Sequence, residues 1–192
     1  MKTEYLKAYA SSLCDEYGAK IKFKNKSIFM KFIAFFLDLF NIMDKKTFME
    51  YSTTIGRTMY LSFELGDFED VSYYGQISTI AHEITHVSQY NHEGCKFFFK
   101  YLFSLKWRAI YEMYAWGVSM EMHYFLTKRV LSPQDLANKL IKYKCTSEQV
   151  RQVAIFLENV STFLGKRVVF KPSKSAIYWL KNHSDILWQV NG

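Results

Sequence analysis

The sequence predicts a mainly α-helical protein of the α+β class, a single domain with one small β element. Three observations point there. The 192 residues hold only two prolines, Pro133 and Pro172, and eight glycines, so few backbone breakers interrupt the chain. Apolar residues recur at helical spacing in several stretches, whereas residues 53–63 alternate with period two. A composition 49% apolar and 22% charged suits one globular unit with a real core.

The elements follow in order. Residues 3–20 read as a first helix, with Tyr5, Leu6, Tyr9, Leu13 and Tyr17 as its apolar positions. Residues 27–41 read as a second, aromatic helix. Its apolar run from Ile28 to Phe40 is broken only by Lys31 and Asp38. About a dozen residues are too few to span a bilayer, so the expectation is a buried core helix, with a membrane-surface helix as the alternative. In residues 53–63, Ile55, Met59, Leu61 and Phe63 share one face of a strand, and Thr54, Thr58, Tyr60 and Ser62 the other. Residues 64–70 form an acidic loop without EF-hand spacing, which reads as a plain turn.

Residues 76–90 have helical period, and helices over 96–105 and 106–127 come next. Ser132 before Pro133 marks another helix start, and Thr146 with Gln149 fits a capping box. Residues 168–170 read as a short strand or extended link, and 173–182 as a last helix. The predicted layout is one domain over 1–192, with a helical N-terminal extension over 1–48 and a helical C-terminal part over 130–192.

The net charge of +7 is scattered, with no basic run longer than two, which weighs against nucleic acid as a partner. Membrane is likewise not the expected partner. Cys14, Cys95 and Cys145 are an odd number, widely separated, and read as reduced thiols. The start of the chain lacks an apolar signal segment, so no secretory route is expected.

The most informative stretch is His82-Glu83-Ile84-Thr85-His86. Two histidines at i and i+4 share one side of a helix, and their imidazoles can meet at one zinc ion. Glu83 between them is placed to act as a general base on water at that metal. Ile77, Ile80, Ala81, Ile84, Val87 and Ser88 form the helix's apolar stripe, and the motif lies off it. A catalytic zinc site usually takes three protein ligands. His92 gives a His-Glu-x-x-His-x-x-Gln-x-x-His spacing, but Gln89 stands where the chain would need glycine to turn back. Glu112 lies in an apolar helical stretch, where a carboxylate is costly without a partner such as zinc or Arg108. Cys95 is a further ligand candidate, and a fourth protein ligand would close the site.

These residues carry a family resemblance. His82, Glu83, His86 and Gln89, then Gly94, Phe98, Lys100, Tyr101 and Leu102, then Arg108, Glu112 and Ala115 make the chain look like a gluzincin over residues 53–116. It resembles compact phage and bacterial members with HExxHxxQ followed by RxxxExxA. The resemblance implies a zincin-like domain, with His82, His86 and Glu112 as ligands of Zn2+. It implies a metallopeptidase cutting peptide or protein substrates, cytoplasmic or virion-associated. It also implies that residues 53–63 align the substrate as an extended strand. Arg57 there either meets a substrate carboxylate or stays solvated. Thermolysin-type gluzincins carry Asp four residues after the glutamate ligand; Trp116 stands there, which leaves the partners of the histidines unassigned. For the oxyanion donor, His123, Tyr111, Tyr114 and Tyr90 are the candidates. The alternative function is a non-catalytic structural or binding protein on the same scaffold, such as a phage particle component.

Overall fold

The computed structural model describes residues 1–39 and 44–183. Among them the chain is mainly α, with a small three-stranded sheet. The expected end of the second helix, Phe40 and Asn41, lies outside the described residues.

Helix α1 (Lys2–Tyr17) stops at Gly18, whose φ of 65° ends the helix in the left-handed region. The chain then enters strand β1 (Lys20–Phe23), which the helical pattern of residues 3–20 did not reveal. Helix α2 (Ile28–Leu39) and the short α3 (Lys45–Glu50) follow. The alternating segment is a hairpin rather than one strand: β2 (Thr53–Ile55) and β3 (Thr58–Leu61) are antiparallel. Gly56, at φ 62°, and Arg57 make its two-residue turn. β1 joins β3 in parallel, so the sheet order is β1-β3-β2 and β2 is an edge. Met59, Leu61 and Phe63 face the main core, as their alternation predicts, whereas Ile55, expected on the same face, lies across the hairpin turn and packs with the opposite cluster. Tyr60, on the opposite face, packs with Met30, Ala34 and Phe48.

Helix α4 (Tyr73–Glu93) is capped by Ser72, whose Oγ accepts from the Gly75 N–H. It carries the motif at its middle. Helix α5 (Cys95–Phe103) and the long α6 (Leu105–Thr127) follow. Ser132 caps α7 (Pro133–Asn138), which leads into a 3-10 turn, Lys139–Tyr143. The Thr146–Gln149 capping box opens α8 (Ser147–Phe163) as expected. Helix α9 (Lys171–Asn182) completes the described chain.

The core explains this order. Ile77, Ile80, Ala81, Ile84 and Val87 of α4 meet Leu6, Tyr9 and Leu13 of α1, Val118 and Met122 of α6, and Ala176 and Leu180 of α9. A second cluster joins α6 to α7 and α8 through Met120, Leu136, Leu140 and Leu157. Residues 1–48 contribute α1 to the main core and β1 to the sheet.

Helix α2 departs from the buried-helix expectation. Only Met30 and Ala34 are buried, whereas Ile28 is 84% exposed and Phe32 60%. A helix apolar all round can bury one stripe only: here Met30 and Ala34 face inward with Ile33 and Leu37 half-buried beside them, and the opposite face turns out. Residues 168–170 form no strand. Instead the Val169 and Phe170 N–H groups donate to the buried Glu121 carboxylate, which serves the amino end of α9. No described helix is long and apolar enough to cross a membrane.

Candidate metal centre

Helices α4 and α6 pack side by side, and this contact brings the three sequence-selected donors together. His82 Nε2 lies 3.6 Å from Glu112 Oε2, and His86 Nε2 lies 3.5 Å from Glu112 Oε1. One donor atom from each of the three residues falls within 4.8 Å of the others. All three side chains are buried. They are the one such His/Cys/Asp/Glu group among the described residues. His82 and His86 come from one turn of α4, because i and i+4 positions stack on one face. Glu112 comes from the second turn of α6.

The imidazole orientations follow from their outer nitrogens. Ser119 Oγ donates to the Ala115 carbonyl, so its lone pair accepts from His82 Nδ1 at 3.0 Å. Gln89 Nε2 donates to the Tyr111 carbonyl, which turns its Oε1 to His86 Nδ1 at 2.9 Å. Both Nε2 atoms therefore point lone pairs at Glu112. Ser119 and Gln89 supply the histidine partners that the sequence left unassigned. Ser119 lies seven residues after Glu112, on the same face of α6, so helical spacing held a signal for it. Trp116 instead packs its ring on His82, with centroids 4.6 Å apart.

Glu112 is the anionic member. Tyr101 donates to its Oε1 at 2.6 Å, while its Oε2 is buried with no hydrogen-bond partner. Burial opposes its charge, but positive charge on the His86 and His82 rings and the Tyr101 hydroxyl outweigh that and hold the carboxyl down to about 2; with the rings neutral, a cation between the three donors would supply that positive charge. An orphaned carboxylate oxygen in a dry site is costly unless a cation meets it. Two neutral imidazoles and one carboxylate match a three-ligand zinc set. Arg108 is not the partner of Glu112: its guanidinium donates to the carbonyls of Tyr101, Leu102 and Tyr143.

Glu83 lies beside the triad, and Thr54 Oγ1 of the edge strand donates to its Oε2 at 2.7 Å. Burial raises its carboxyl, against the pull of His86 and the Thr54 hydrogen bond. The β2 edge is itself braced by Lys24. That fully buried ammonium donates to the Phe48 and Tyr51 carbonyls at 2.6 and 2.7 Å and to Thr53 Oγ1 at 2.7 Å.

A cavity of about 340 Å³ opens on these groups. Its walls are residues 52–55 with β2, the inner side of α2, α5, and Tyr143 of the 3-10 turn. The other expected residues lie elsewhere. His92 is exposed in the last turn of α4, which continues past Gln89 because no glycine ends it there. Cys95 is exposed. Tyr111 donates to Glu93, Tyr114 packs on Phe156 and Phe170, Tyr90 lies against Gly56, and none of them, nor His123, lines the cavity. Arg57 sits in the hairpin turn and donates to Asn91 Oδ1 at 2.8 Å. The tyrosines that do line the cavity are Tyr51, Tyr101 and Tyr143. Burial, with Glu112 next, pushes the Tyr101 and Tyr143 phenols well above their ordinary range, so both remain hydrogen-bond donors. The acidic loop is tied to the start of α4 by Gln76, which accepts from the Gly66 N–H and donates to the Val71 carbonyl.

No family model matches the chain, and comparisons with curated proteins and with solved structures found no similar protein.

Proposed function

We propose that the protein is a zinc-dependent metallopeptidase, with His82, His86 and Glu112 as the metal ligands. The observation that carries this reading is the buried Glu112 carboxylate beside the cavity, its orphaned Oε2 facing His82 Nε2 and its Oε1 facing His86 Nε2. Bound there, zinc supplies Lewis acidity, polarising a carbonyl and making water acidic near neutral pH.

The chain's own groups do the rest. Glu83 takes a proton from the attacking water and passes it to the leaving amine. Burial raises its carboxyl above the ordinary value, which makes the carboxylate a stronger base, and Thr54 fixes its orientation. Tyr143, a protonated phenol in the cavity wall, is the proposed donor to the developing oxyanion, replacing the four residues expected from sequence. The β2 edge lines the same cavity and offers backbone groups to an extended peptide. A fourth protein ligand would favour the non-catalytic alternative. His92 and Cys95, the residues proposed to close the site, are both exposed and outside the triad.

Elemental analysis of the purified chain tests the reading, with an expected one zinc per chain. Glu83→Gln should keep the metal and lose peptide hydrolysis. A chain that neither carries zinc nor takes it up refutes the assignment.

A further inference from the structure

We propose that the mouth of the cavity is a docking face for an anionic lipid surface, so that the protein works against a bilayer. Two helices wall the mouth and turn aromatic stripes outward. On α2, Ile28, Phe32, Phe35 and Leu39 follow at i, i+4, i+7 and i+11, exposed by 84, 60, 53 and 62%. On α5, Phe99 and Phe103 are 60 and 80% exposed and stack on each other. Both helices also reach into the cavity, α2 through Ile33 and Phe36 and α5 through Phe97 and Leu102. The 3-10 turn completes the rim, with Tyr143 in the cavity and Ile141 61% exposed.

Charge identifies the occupant. Residues 20–50, which contain α2, carry a formal +4. Residues 95–108, which contain α5, carry +4, and residues 139–144 carry +3. The whole chain is +7, so everything outside these three segments sums to −4. Lys24 and Arg108 are buried, which leaves these segments a formal +9 on exposed or half-buried residues, so the charge scattered in the sequence is concentrated on the parts of the chain that contain the cavity walls. Lys31, Lys96 and Lys106 are exposed there.

Aromatic side chains ringed by lysines match a bilayer interface. The rings enter the headgroup boundary and the ammonium groups meet anionic lipid. At twelve residues α2 lies on such a surface and does not cross it. Two copies meeting through this face would instead oppose like charges.

Flotation of the full chain with vesicles tests this, in chelator so that the outcome is independent of the metallopeptidase reading. The chain should float with phosphatidylcholine–phosphatidylglycerol vesicles at roughly tenfold lower lipid than with phosphatidylcholine alone, and about 1 M salt should remove the difference. Lys31→Glu/Lys96→Glu/Lys106→Glu should abolish the preference for anionic lipid. Phe35→Ser/Phe99→Ser should weaken binding to both vesicles, with circular dichroism unchanged. Equal binding to the two vesicle types, or none to either, overturns the proposal. So does a dimer in solution that Phe35→Ser/Phe99→Ser dissolves, because the face then belongs to a second copy.

Discussion

Ser119→Ala separates a metal centre from an ordinary buried polar cluster. Ser119 Oγ takes the His82 Nδ1 proton at 3.0 Å and touches neither Glu112 nor the cavity. In a zinc site, loss of such an outer partner weakens metal binding by about 10- to 100-fold. With free zinc at about 1,000 times the dissociation constant, binding stabilises the fold by about 4.1 kcal/mol. A 100-fold weaker site leaves zinc at about ten times the constant, worth about 1.4 kcal/mol. The variant therefore loses about 2.7 kcal/mol of zinc-linked stability, or about 5–11 °C in Tm for a chain of this size. Paired thermal melts with zinc and with chelator measure it. In chelator the variant should lose only one hydrogen bond, about 1 kcal/mol. If the loss in Tm is the same with and without zinc, Ser119 supports no metal ligand and the argument for the centre fails.

The remaining predictions concern catalysis, pH and the frame around the site. Tyr143→Phe should lower kcat on a peptide substrate by about 10²- to 10³-fold, whereas Tyr114→Phe, outside the cavity, should leave it unchanged; equal effects would remove Tyr143 from the mechanism. Burial lowers Lys24 to about 7, only partly offset by Glu83. From pH 7 to about 8 the unfolded chain binds more of this proton, so metal-free stability rises with pH by at most about 1.4 kcal/mol per unit; above that, Cys14 and Cys145, raised by burial to about 11, act in the opposite direction. Urea unfolding in chelator at several pH values within that first window would show the slope, and a flat or falling profile there contradicts it. Glu121→Ala leaves the Val169 and Phe170 N–H groups without their acceptor, so Tm should fall by the equivalent of about 1–3 kcal/mol in zinc and chelator alike. A fall that appears only with zinc would tie Glu121 to the metal centre instead.

Local pattern carried the motif a long way. The i, i+4 spacing of His82 and His86 fixes their shared face in any helix, and the apolar stripe of α4 fixes which way that face turns. A carboxylate stranded among apolar neighbours singled out Glu112, since such a group needs a partner wherever the helix packs. Capping chemistry placed the starts of α7 and α8, because those hydrogen bonds close within four residues.

What tertiary structure decided is what depends on residues far apart in the chain. β1 was missed although Lys20-Ile21-Lys22-Phe23 alternates, because four residues make a short signal and the ladder partner, β3, lies some forty residues away. The outward turn of α2 was hidden because hydropathy records how apolar a segment is, not how much neighbouring surface exists to cover it. Ser119 and Thr54 became partners of His82 and Glu83 only when α6 and β2 closed on α4, whereas Gln89 meets His86 within α4 and takes only its second contact, the Tyr111 carbonyl, from α6. Tyr143, far from the motif in sequence, lines the cavity because the 3-10 turn brings it back there, which local pattern did not show. Periodicity is a property of neighbours along the chain and survives in the sequence. Which surfaces meet is set by the free energy of the whole packed core, to which every segment contributes at once.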